Sequence, residues 1–242
     1  MAGRTTTQPK YLEIVTRVRE RCSSMPVGAR LSSERALAEE FGVSVMTTRQ
    51  ALARLEDEGW VRRAPGSGTY VSRPTVTMGP TLTSFSEDMR RLGLTPSAVV
   101  LRFEPIAPDL DTVAHLSLRP GEGAVLLERL RLADGEPMCH EVGVYPDRFA
   151  DALRDADLTG SVHEALATTG TVPDSTFRRV RTVVLSQREC DLLGLPQNSP
   201  ALEIVDTFSD AMGRPMQHVR SRYRFDRYEV ASTITRISPA RR

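Results

Sequence analysis

Three stretches carry side chains whose type and spacing could do chemistry. In "LLERLRLADGEPM" Arg129 and Arg131 alternate along a segment that reads as a strand, so both project from one sheet face. Two like charges on one face are costly unless an anion or carboxylates join them, and arginine is the usual choice for phosphate. The spacing leaves open an anion site or an ion-pair ladder with Glu128, Glu141 and their neighbours. In "FGVSVMTTRQALARLEDEGW", residues 41–60, a turn at Gly42 precedes a helix of the kind that lies in a DNA major groove. Its tip carries apolar Val45 and Met46 where side chains would meet base edges. The third stretch, Cys139-His140-Glu141, has metal-binding residue types, but consecutive strand residues point to opposite faces and seldom ligate one ion.

The elements that would position these residues follow from local signals. Apolar spacing at Leu12, Val15 and Val18 predicts a first helix. Ser32-Ser33 offers a cap for "ERALAEEF", and Ser44 a cap for the helix running to about Glu58, which Gly59 ends. "WVRRAPGSGTYVS" reads as two strands around a Gly-rich tip. Three short helices and a hairpin make a winged helix. The segment "SRPTVTMGP" reads as a linker. Beyond it, "SAVVLRFEPI" reads as a strand, and Asp134-Gly135 and Gly213-Arg214 as turns of long hairpins. "FRRVRTVVLS" reads as a further strand, and "YEVASTITRIS" as a last one. "DRFADALRDA", "SVHEALATT" and "QRECDLLG" read as helices. Hairpins dominate, which predicts an α+β body with a mainly antiparallel sheet. The expected domains are residues 1–73, a linker at 74–81, and a body over 82–242.

Charge and composition narrow the class. The net charge of +1 divides into about +4 over residues 1–74 and −3 over the rest, which suits a DNA-binding head on a different kind of body. No run of apolar residues is long enough to span a membrane. The N-terminal "MAGRTTTQPK" lacks the apolar core of a secretory signal, and three scattered cysteines form no disulfide framework. A cytoplasmic location is expected. No nucleophile elbow, P-loop, metal helix or paired carboxylate frame is present, so no enzyme activity, cofactor or metal is expected.

Residues 31–71, with their "SER", "FGVS", "TTRQAL" and "GSGT" elements, resemble the GntR-family winged helix-turn-helix. The body, through "SFSEDMRRLGLTP", "LERLRLADGEPM", "GSVHEAL", "GRPM" and "YRFDRYEV", resembles the UTRA effector domain of the HutC subfamily, which has a chorismate-lyase-like fold. The first resemblance implies base-reading arginines at Arg35, position 45 and Arg49. Val45 departs, and can pack on a thymine methyl but not hydrogen-bond to a base. Ser44 caps the reading helix, Thr47 and Thr48 have hydroxyls suited to phosphates, and Gly66 and Gly68 allow the wing tip a close approach to the minor groove. The second resemblance implies a sugar-phosphate site made by Ser84, Phe85, Ser86, Arg129, Arg131 and Ser161, with Glu141 on sugar hydroxyls or an amine and Tyr223 closing the pocket. His163 stands where such relatives have tyrosine, and a partly buried packing role for it stays open.

Together these imply a homodimeric transcriptional regulator on a palindromic double-stranded DNA operator, joined through the body and released when a small anionic effector lets the linker swing the heads apart. Glucosamine 6-phosphate or N-acetylglucosamine 6-phosphate is the first expectation. Urocanate, a phosphonate or another small acid is the alternative, ahead of a constitutive DNA-binding protein or a sugar-phosphate enzyme.

Overall fold

The computed structural model describes residues 9–234, in two compact units that meet between Thr75 and Val76. The first holds α1 (Lys10–Ser24), α2 (Glu34–Phe41), α3 (Val45–Asp57), β1 (Val61–Ala64) and β2 (Gly68–Val71). Local chemistry fixes each boundary. The Ser33 hydroxyl accepts from the Ala36 N–H to start α2, and Gly42 ends it at φ 62°, a left-handed conformation that glycine adopts at least cost. Ser44 then accepts from the Thr47 N–H to start α3. Val15, Val18, Leu37, Ala51, Leu52 and Leu55 are buried, so the helices share an apolar interior. Antiparallel β1 and β2 form the wing.

The second unit contains β3 (Val76–Met78), α4 (Phe85–Arg91), β4 (Pro96–Ile106), α5 (Leu110–Leu116), β5 (Ala124–Ala133) and β6 (Glu136–Pro146). After a 3-10 turn come α6 (Ala150–Asp155), α7 (Val162–Ala167), β7 (Ser175–Val184), α8 (Gln187–Leu193), β8 (Pro200–Ser209), β9 (Pro215–Arg224) and β10 (Tyr228–Val230). Six strands form one antiparallel sheet in the order β4-β5-β6-β9-β8-β7, giving the expected α+β body. The β5–β6 turn has Asp134 at φ 50° and Gly135 at φ 80°, the pair of positive values that a two-residue hairpin needs.

Both faces of the sheet are covered. On one, Leu127, Tyr145 and Phe208 pack with Leu153 of α6 and Val162 and Leu166 of α7. On the other, Leu130 and Ala201 pack with Cys190 and Leu193 of α8. That second face also carries a polar row. His140 lies between Glu128, 2.8 Å from Nε2, and Glu189, 3.3 Å from Nδ1, while Arg222 bonds both Glu189 and fully buried Glu203. Glu128 therefore faces away from Arg129 and Arg131 and does not join them in a ladder.

Three expectations change. Residues 76–78, inside the stretch expected to link the domains, form β3, which pairs in parallel with β10; Val76 and Met78 point inward, but three residues are too few to show a period. Helix α5 was not expected: it is two turns long, capped by Asp109, and leaves Leu110 89% exposed, so little amphipathic signal exists. The last strand, expected over 228–238, stops at Val230, and residues 235–238 lie outside those described.

Glu189 gives a pH test. Burial alone would raise its pKa, but hydrogen bonds from Ser186 and the Arg222 guanidinium outweigh it and hold the carboxyl down from 4.5 to about 2. A depressed carboxylate stabilises the fold above its unfolded pKa and loses that contribution as pH falls through the folded one. Wild-type stability is therefore expected to decline between about pH 4.5 and 2. In chemical unfolding followed across that window, Glu189→Gln should be less stable at pH 7 and show a flatter acid limb.

Candidate functional site

A cavity opens where α4 and α7 cover β5, β6 and β9. Its wall includes Ser84, Phe85, Arg129, Arg131, Glu141, Ser161, His163 and Tyr223. These eight are residues that the sequence points to; the ninth, Ser86, lies just behind the wall, its hydroxyl accepting from Arg131 Nη2 at 2.9 Å. Ser84 and Ser161 reach the cavity as helix caps, accepting from the Glu87 and Glu164 N–H groups. Tyr223 is half-buried, its ring centroid 4.3 Å from that of Tyr228; desolvation of its hydroxyl pushes the pKa well up.

The two arginines are not equivalent. Arg129 donates through Nε (3.0 Å) and Nη2 (2.5 Å) to Glu141 Oε1, and through Nη1 to the carbonyls of Leu158 (2.9 Å) and Gly160 (3.0 Å). Nearly all of its donors are spent on the protein. Burial works against its charge, but Glu141 more than offsets that and raises its pKa. Arg131 bonds Ser86, stacks over the Phe85 ring at 4.5 Å, and stands 4.0 Å from Glu141 Oε2. Its buried Nε has no partner among the described residues. Burial, then the neighbouring Arg129, lowers its pKa. Glu141 resists its own burial through both arginines, which hold its carboxyl below the usual range.

The far wall adds residues that the sequence reading missed. Arg178 grips Asp206 through two bonds of 2.8 and 2.9 Å. These two are register partners on β7 and β8, a relation invisible before the strands are paired. Tyr145 lies across Gly143, where an added Cβ would meet the Tyr145 hydroxyl at 2.7 Å. His163 packs edge-on against Phe208 and sits 2.7 Å from Gln217, and its burial lowers its pKa. With His163 neutral, three arginines face two carboxylates, and the cavity carries one net positive charge. Its cavity volume is about 60 Å³, small beside the roughly 300–1,000 Å³ of typical ligand pockets. Cys139 and Glu141 share the cavity face while His140 points to the other, and no metal-binding cluster occurs among the described residues.

In the first unit, α3 carries most of the residues expected to meet DNA. Val45 is 38% and Met46 66% exposed. Thr47 is half-buried, and its hydroxyl is shared with that of Ser44 at 2.8 Å. Thr48 corrects the sequence reading: it is fully buried, with its hydroxyl turned inward and unpartnered, and cannot reach a phosphate. Its spacing to Ala51, Leu52 and Leu55 places it on the inner helix face. Arg35 is open to solvent, 3.7 Å from Glu39. Arg49 is held by Glu34. Gly66 sits at φ 74° with open space around it, as a wing tip requires. Gly68 differs: an added Cβ would lie 2.9 Å from Arg30 Nε, so its missing side chain makes room for Arg30.

Comparison with known proteins agrees with both units. Residues 10–71 match the model for bacterial regulatory proteins of the gntR family, and residues 91–229 match the UTRA domain. The chain is 32% identical over 210 residues to the HTH-type transcriptional repressor NagR of Bacillus subtilis, covering 86% of each chain. It is 28% identical to the mannosyl-D-glycerate transport/metabolism system repressor MngR of Escherichia coli, covering 96% of this chain and 98% of that one. The crystal structure of PhnF from Mycobacterium smegmatis superposes with a TM-score of 0.70 at 25% identity, covering 92% of this chain and 99% of that one. No helix among the described residues is long and apolar enough to cross a membrane. The chain therefore belongs to the GntR family of DNA-binding transcriptional regulators, in its HutC subfamily with a UTRA effector domain, and is not an enzyme.

Proposed function

We propose that the protein is a cytoplasmic, homodimeric repressor that leaves a palindromic operator when a small anionic effector, an amino-sugar phosphate, enters the cavity of the second unit. The observation that carries this reading is Arg131, a buried guanidinium with an unpartnered Nε beside a neighbour whose donors are already used. A buried charge without a full partner is costly, and an anion relieves it. A phosphoryl group also matches the fork geometry of arginine. Glu141 occupies the space next to both arginines, so an anion competes with it for Arg131.

A contiguous route supports coupling to DNA binding. Tyr223 lines the cavity and packs on Tyr228, and Tyr228 is the register partner of Val76 in β3, the first residue after the boundary with the DNA-binding unit. A shift at Tyr223 is thereby passed to the strand that continues directly into that unit. Such a route acts as an allosteric path only if both sites bias it, which a coupling measurement decides.

Two tests follow. Glucosamine 6-phosphate or its N-acetyl form, at about a hundredfold over its dissociation constant, should stabilise the protein by about 2.7 kcal/mol. The matching rise in melting temperature should vanish in Arg131→Ala. Arg129→Ala should instead lower the melting temperature of the unliganded protein, because it strands Glu141, a loss of about 3–5 kcal/mol. A shift only with urocanate or another unphosphorylated acid would replace the phosphate reading, and no shift with any anion would favour constitutive DNA binding. Second, Tyr228→Ala should keep the effector-induced shift while operator affinity, followed by fluorescence anisotropy, no longer falls when effector is added.

A further inference from the structure

Glu34 opens α2 and faces α3. Its carboxylate oxygen Oε2 accepts from Arg49 Nε at 3.0 Å and from Arg49 Nη2 at 2.9 Å. A guanidinium carries five N–H groups in a fixed plane. The Glu34 contact uses one edge of that plane, the Nε edge. The end-on edge, formed by Nη1 and the second Nη2 hydrogen, keeps its parallel pair of donors. That pair matches the O6 and N7 acceptors that guanine presents in the major groove. On the same helix the Met46 sulfur lies 3.9 Å from Nη1, a weak contact that leaves this edge available.

A carboxylate on a DNA-facing surface works against phosphate attraction. Glu34 also sits in the first turn of α2, where an acid favours the helix dipole. That favourable position does not require its carboxylate to reach across to α3. Both partners are accessible, with side chains 27% (Glu34) and 53% (Arg49) exposed, so the contact is not forced by burial.

We propose that Glu34 is a positioning residue for Arg49. It holds the guanidinium side-on so that the free end-on edge reads guanine, and it thereby sets base preference at one position of each half-site. This rests on the reading of the first unit as an operator-binding head. It also bears on the apolar tip of α3: with Val45 unable to hydrogen-bond to a base, discrimination falls more heavily on an arginine whose orientation is fixed.

The test uses the full-length protein. Operator selection defines the preferred site, and Arg49→Ala identifies the position whose preference depends on Arg49. Dissociation constants are then measured for single-base variants at that position and at a distant one. Glu34→Ala should lose about tenfold of the guanine preference at the Arg49 position, keep its preference at the distant position, and bind non-specific DNA more tightly at low salt. Glu34→Gln, which retains an acceptor oxygen, should keep most of the preference. An unchanged preference at the Arg49 position would overturn the proposal. So would an equal loss at every position accompanied by a lower melting temperature, which is the mark of a purely structural role. Failure of the wild type to select any site would overturn the operator-binding reading itself.

Discussion

The buried pairing of Arg129 with Glu141 is the constraint on which the effector unit turns. It spans the register partners of β5 and β6, and the remaining Arg129 donors bind the carbonyls of Leu158 and Gly160 in the loop that leads to α7. One side chain thus ties two strands to the segment that covers the cavity. Truncating it would leave the buried Glu141 carboxylate with Arg131 alone, 4.0 Å away, and take the donor from two loop carbonyls. Because Glu141 is committed to Arg129, it only half-compensates Arg131 at 4.0 Å. With Arg129 paired to Glu141 and Arg178 to Asp206, the cavity's excess positive charge falls on Arg131.

Much of this was legible in the sequence, because the signals were local. Ser33, Gly42 and Ser44 announce their own helix boundaries through caps and a left-handed turn. The alternation of Arg129 and Arg131 places both on one sheet face, whatever lies opposite. The distribution of their donors was not legible, since it depends on Glu141 across the strand pair and on two loop carbonyls about thirty residues away. Arg178 and Asp206 escaped for the same reason: their pairing exists only once β7 lies beside β8. Thr48 is a different case. Its helical spacing to Leu52 and Leu55 was available, and would have placed it inside the head rather than on DNA.

The DNA-binding unit divides its labour between rigid and adaptable parts. Buried Leu37, Leu52 and Leu55 fix the angle between α2 and α3, while exposed Arg35, Val45, Met46 and Arg49 remain available to a partner. Phosphate contacts give affinity and a few base contacts give specificity. An apolar tip at Val45 and Met46 suits a thymine methyl, flanked by arginines that suit guanine. On the proposed reading, such a surface suits a mixed site, recognised by packing as well as by hydrogen bonds.

Joining these units into a regulator requires that effector and operator bind competitively through the protein, and thermodynamic linkage makes that requirement reciprocal. The most direct measurement is the affinity of the protein for glucosamine 6-phosphate, by titration calorimetry, with and without saturating operator duplex. The account predicts that operator weakens effector binding by the same factor by which effector weakens operator binding, about 5–150-fold for typical couplings. Equal effector affinities in the two titrations would contradict it.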